Sequence, residues 1–134
     1  MSSRPSRYVR FVTDLIDEGS GHRRGVFQAV SDALADIETS NDHWQVLRST
    51  YDWFNAHMKA PDRFSRSKRV NAAAKAISWF KSDANEHITH MRRFCEVLNA
   101  CGIGTEMITT DRPGYLVYED AHQIAAIPFN ETRT

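Results

Sequence analysis

The feature that most constrains this chain is an apolar stripe running from Ala73 to Cys101. Its members are Ala73, Ile77, Phe80, Ala84, Ile88, Met91, Phe94 with Cys95, Leu98 and Cys101, at steps of three or four residues. Only an α-helix places such positions on one face. No Gly or Pro interrupts the run, and Gly102 follows it where a left-handed C-cap sits. The spacing predicts one continuous helix about 43 Å long, wider than a small domain. Its weak point is Ser82-Asp83, because both residue types favour caps over helix interiors. The stripe nevertheless keeps its phase there, from Phe80 to Ala84 to Ile88.

The residues before the stripe fall into three patterns. Arg7 to Ile16 alternates, with Val9, Phe11, Thr13 and Leu15 on one side, which predicts a strand with one buried face. Val26, Phe27, Val30, Ala33, Leu34 and Ile37 then recur at helical spacing. Ser40-Asn41-Asp42 offers an N-cap to a further helix carrying Trp44, Leu47, Tyr51, Phe54 and Met58. Ala60-Pro61 ends that helix, since a residue before Pro avoids the helical region.

After Gly102 the pattern becomes strands and tight turns. Thr105 to Thr110, Tyr115 to Tyr118 and Gln123 to Ile127 read as strands. Arg112-Pro113-Gly114-Tyr115 suits a type II turn, and Pro128 closes the last strand. The resulting order, β-α-α-α-β-β-β, predicts a two-layer α+β domain. It comprises an N-terminal strand, three helices including the long C-terminal one, and a three-stranded antiparallel meander. At 134 residues the chain is expected to form one domain, 1–134, frayed at 1–6 and 130–134. A chain of this size buries roughly two-thirds of its unfolded surface.

Lys plus Arg equals Asp plus Glu at 17 each, so net charge points to no partner. The distribution is uneven. Between His57 and Lys75, six cations face Asp62 alone; from Ile103 onward, five acids face Arg112 and Arg133. Such segments can bind different partners or each other in a self-associating molecule. No apolar run reaches the length of a membrane span, and the start of the chain does not read as a signal peptide. Cys95 and Cys101 would lie about 9 Å apart on one helix. That exceeds the reach of a disulfide, roughly 7 Å, so both read as reduced core thiols in a cytoplasmic protein.

Three constellations could carry chemistry. Gly19 to Gly25 joins a strand to a helix, and Gly21, His22, Arg23 and Arg24 are the candidate anion-binding residues, because helix N-termini and arginines attract phosphate. A dinucleotide fingerprint would need glycine at position 24, which is Arg24, and a Walker lysine is absent. Lys59, Arg63, Arg66, Lys68 and Arg69, interleaved with Phe64, are the candidate nucleic-acid-binding residues, with Arg4, Arg7 and Arg10 as an extension. A pI near 7 argues against that reading. Asp83, Glu86, His87 and His90 have metal-like spacing, but they match no established ligand pattern and read as a solvated helix face. No metal or cofactor is implied.

Trp44, Trp53, Trp79, Phe54 and Phe80 form an aromatic-rich set that reads as core or as an exposed protein-binding anchor, and no specific nucleophilic motif is present. The sequence therefore predicts a small soluble interaction domain whose partner is another protein or its own copy. Nucleic-acid or phosphate-ligand binding through the basic residues is the alternative. An enzyme of unknown class is the third reading.

Overall fold

The structure, a computed structural model, describes residues 6–16, 21–58 and 76–134. In chain order these form β1 (Tyr8–Ile16), β2 (Arg23–Gly25), α1 (Val26–Ala35), α2 (Asn41–His57), β3 (Ile77–Lys81), α3 (Asn85–Ala100), β4 (Thr105–Thr110), β5 (Tyr115–Glu119) and β6 (Gln123–Ile127). The fold is α+β, as the sequence predicts. Strands hydrogen-bond in the order β2-β1-β3-β6-β5, and β4 pairs β1.

The described residues divide into two compact units, one of residues 6–10, 76–85 and 108–134, the other of residues 11–16, 21–58 and 86–107. In the first, β3 is central. It pairs antiparallel with the start of β1 at Tyr8↔Lys81 and Val9↔Phe80, and with β6 from Ile77↔Ala126 to Phe80↔Gln123. β5 and β6 form a hairpin closed by the turn at Asp120, with a bulge between Leu116 and Tyr118. Val117, Ala125 and Ile127 are buried together, flanked by Ala76 and Tyr118. Phe129 and Thr132 close a hydrogen-bonded turn, and the Thr132 hydroxyl donates to the Arg112 carbonyl at 3.1 Å.

The second unit holds the helices. Phe27 meets Phe54 edge-on at 4.9 Å between ring centroids, and Phe54 stacks on Phe94 at 5.4 Å. These three rings join α1, α2 and α3 around buried Val26, Val30, Leu47, Met91 and Leu98. Ser40 caps α2, its hydroxyl accepting the His43 N–H at 3.2 Å. Gly102, at φ +88°, ends α3: Ile103 N–H reaches the Leu98 carbonyl and Gly102 N–H the Asn99 carbonyl. Those two bonds form a Schellman cap.

Two architectural expectations are corrected. The helix predicted over 73–101 is not continuous: residues 77–81 are strand β3, and helix begins at Asn85. Ile77, Phe80 and Ala84 fit a helical period, but Ile77, Trp79 and Phe80 are also strand-forming residue types, and Trp79 and Phe80 are both buried. β-branched and aromatic residues favour the strand. Pairing on both sides decides the matter, because β3 gains ladders with β1 and β6. Ser82 and Asp83 then make the turn, with Ser82 N–H on the Arg7 carbonyl and Ala84 N–H on the Lys81 carbonyl. The three-stranded meander is likewise replaced. Only β5 and β6 pair as neighbours; β4 pairs β1, and β6 pairs β3.

Candidate functional site

The corner between α1 and α2 forms an open hollow of about 410 Å³, lined by Leu34, Ala35, Asp36, Ile37, Thr39 and Trp44 among others. Local chemistry builds it. The helical pattern of α1 extends to Ile37, but competing donors take its last carbonyls. Ala33 C=O receives the Asp36 N–H and the Thr39 hydroxyl, and Leu34 C=O receives the Trp44 indole N–H at 3.1 Å. Asp36 is therefore extended, and Ile37 leaves the apolar face. Ile37 is 96% exposed, the most exposed large apolar side chain among the described residues. Asp36, Glu38 and Asp42 border the corner, and none has an ion pair among the described residues.

The candidate anion residues are placed differently from a ready phosphate site. Strand β2 separates the Gly21 turn from α1, so the loop does not run directly into a helix N-terminus. Gly21 adopts φ +75° and His22 is exposed. Arg23 pairs with Glu106, and its Nε–H donates to the Thr13 carbonyl at 2.8 Å. Arg24 pairs with Asp32, while its carbonyl accepts the Thr13 hydroxyl. A phosphate at either guanidinium would compete with a carboxylate already in place.

The candidate nucleic-acid residues Lys59, Arg63, Arg66, Lys68 and Arg69 lie outside the described residues, as does Arg4. Of the proposed extension, Arg7 is exposed with its guanidinium near the Tyr8 ring. Arg10 donates to the Ser78 carbonyl, and burial lowers its guanidinium to about 10. The acidic C-terminal third is engaged internally: Glu106 holds Arg23, Glu119 holds Lys81 at 2.8 Å, and Glu131 holds Arg112 at 3.4 Å. Asp111 accepts the Arg7 N–H. Asp120 is partly desolvated, which raises its carboxyl. Bonds from the backbone N–H of His122 and Gln123, the Gln123 amide and the Tyr118 hydroxyl outweigh this and hold it below the ordinary carboxylate value.

Asp83 and Glu86 are exposed, as the solvated reading requires, but His87 is buried. His90 stacks face-on against Trp53 at 3.7 Å, and His87 meets the same indole edge-on at 5.0 Å. His90 Nδ1 lies 2.7 Å from the Glu86 carbonyl, an intrahelical contact. Among the described residues no three His, Cys, Asp or Glu side chains converge as metal ligands. These histidines serve an aromatic cluster.

Sequence reasoning missed one pair. Cys101 is exposed rather than in the core, and its Sγ lies 3.5 Å from His43 Nδ1. The partners are 58 residues apart, so no local motif announces them. Cys95 behaves as expected: burial raises its thiol, with Glu96 adding to the rise and a Thr105 hydrogen bond opposing it. Among the described residues no helix is long and apolar enough to cross a membrane. Compared with protein families, curated proteins and solved structures, the chain matches none.

Proposed function

We propose that this chain acts by binding protein, through the hollow at the α1–α2 corner, and that the occupant is a basic segment with one apolar anchor. The observation that carries the reading is Ile37. An isoleucine that is 96% exposed on the rim of a hollow offers apolar surface that a partner would bury. Trp44 also lines the hollow, and indoles rank among the strongest interface anchors. Charge defines the partner's chemistry. Asp36, Glu38 and Asp42 carry no internal counter-charge among the described residues, so a cationic segment would complement them, with electrostatics setting on-rate and specificity. Phosphate and nucleic acid fit this corner poorly, and Arg23 and Arg24 are already paired.

The chain itself contains a segment of that chemistry, with Lys59, Arg63, Phe64, Arg66, Lys68 and Arg69 in close succession. A synthetic peptide of residues 59–70 is therefore the first probe. Titrated into the isotopically labelled protein at low salt, it should shift backbone resonances of residues 34–44. The shifts should weaken sharply at high salt and disappear in Ile37→Ser. A concentration-dependent mass that Ile37→Ser abolishes would identify a second copy as the donor of the segment. If the peptide shifts nothing at millimolar concentration and the protein stays monomeric, the reading is wrong. Ile37 is exposed, so its replacement leaves the fold intact.

A further inference from the structure

We infer that Cys101 is a reactive thiol, with His43 as its base, and that it is a site of thiol–disulfide exchange with small disulfides. Two helix caps build the pair. The Schellman ending of α3 places Cys101 at the C-cap, off the buried face of the helix and exposed to solvent. The Ser40 cap places His43 in the first turn of α2, with its imidazole Nδ1 at 3.5 Å from Sγ. A thiol and an imidazole within hydrogen-bond reach form the nucleophile–base arrangement that activates cysteine. The first turn of α2 also favours negative charge, since its N–H groups give that end a positive potential. Asp42 and the carbonyl end of α3 oppose this, which makes the imidazole the decisive partner.

The surroundings select the reaction. Acyl transfer requires free N–H donors around the oxyanion. Here the N–H of Cys101 reaches Val97 and Leu98 carbonyls, that of Gly102 reaches Asn99, and that of Ile103 reaches Leu98. All three are used by the cap. Exchange at sulfur needs no such donors. His43 Nδ1 takes the Sγ proton, and the thiolate attacks one sulfur of a disulfide RSSR. The Sγ–S bond forms as the S–S bond breaks. The departing RS⁻ takes the proton back from the imidazolium, leaving a mixed disulfide on Cys101 and free RSH. Cys101 is oxidised and one RS group is reduced, so the exchange balances without a further electron acceptor.

The test uses the whole chain and two probes, a chromogenic aromatic disulfide for rate and oxidised glutathione for product. The Cys95→Ser variant should keep the fast reaction and Cys101→Ser should lose it. Peptide mass mapping should place the glutathione adduct on Cys101. His43→Gln should slow the reaction at neutral pH by about tenfold or more, as loss of a positioned base does. At alkaline pH, where hydroxide ionises the thiol unaided, the two rates should converge, which a merely structural role for His43 would not produce. Circular dichroism of His43→Gln checks that the fold persists, and His43→Asn serves if it does not. An adduct on Cys95, or equal neutral-pH rates with and without His43, would overturn the inference.

Discussion

Trp53 and His90 lie face to face, with ring centroids 3.7 Å apart and planes 7° from parallel. His57 also stacks on the same indole at 4.5 Å and 12°. The contact joins α2 to α3 through two residues that the sequence leaves unconnected. Stacked aromatic pairs contribute about 0.5–1.5 kcal/mol beyond the area they bury. A double-mutant cycle of Trp53→Ala and His90→Ala, read by urea unfolding, should return a coupling in that range. Additive losses would show that the rings merely lie near each other.

Arg23 and Arg24 tie β2 to its neighbours through Glu106, Asp32 and the Thr13 carbonyl. Both arginine side chains are about three-quarters covered. Replacing both with Ala should lower stability by about 1–2 kcal/mol without any ligand, since pairs of this exposure contribute modestly. Added phosphate should stabilise the parent protein little. Strong protection by phosphate that the double variant loses would restore the anion-site reading.

Gly114 has φ +130°, and a Cβ there would overlap the Ile127 carbonyl. The turn before β5 thus requires glycine for two reasons, conformation and space. Gly114→Ala should cost about 2–3 kcal/mol or more. A thermal midpoint unchanged from the parent would show that the turn relaxes freely.

Much of this architecture was legible because it depends on local chemistry. Ser40 as cap, the helix carrying Trp44 to Phe54, the strands at 105–110 and 123–127, and Gly102 as C-cap all follow from residues within a few positions of each other. The failures share another cause. Ile77 to Lys81 sets strand-forming residue types within a helical spacing, and the choice rests on strands from distant parts of the chain. Ile37 leaves its helix because Thr39 and Trp44 take the carbonyls it would otherwise follow. The Cys101–His43 pair requires two caps to converge. Periodicity records faces, not which faces meet.

Asp120 organises the turn between β5 and β6, and its hydrogen bonds hold its carboxyl below the ordinary value of 3.8. The folded state therefore binds this proton less tightly than the unfolded state. Its contribution to stability is complete above about pH 3.8 and is lost as pH falls toward the lower folded value. Asp120→Asn should be less stable than the parent at pH 7. The gap should narrow in acid, below pH 3.8. A gap independent of pH down to the acid transition would assign the turn's stability to shape rather than charge.

Arg10 presents the opposite balance. Its guanidinium is desolvated enough to fall to about 10, and its one hydrogen bond among the described residues goes to the Ser78 carbonyl at 3.4 Å. Its Nε is buried with no acceptor, and no carboxylate pairs with it among the described residues. A half-buried cation with a stranded Nε and no carboxylate partner among the described residues lowers stability, and an apolar side chain of similar length removes that cost. Arg10→Met should therefore stabilise the protein by about 1–3 kcal/mol at pH 7. The sign with pH follows from the lowered value. Above about pH 10 the unfolded chain still holds this proton while the folded chain begins to release it, so the parent gains stability as pH rises there. The advantage of Arg10→Met should shrink there. Urea midpoints of both proteins at pH 7 and pH 10.5 measure the difference. A variant less stable than the parent at pH 7 would mean that the Arg10 stem packs well enough to outweigh its stranded charge.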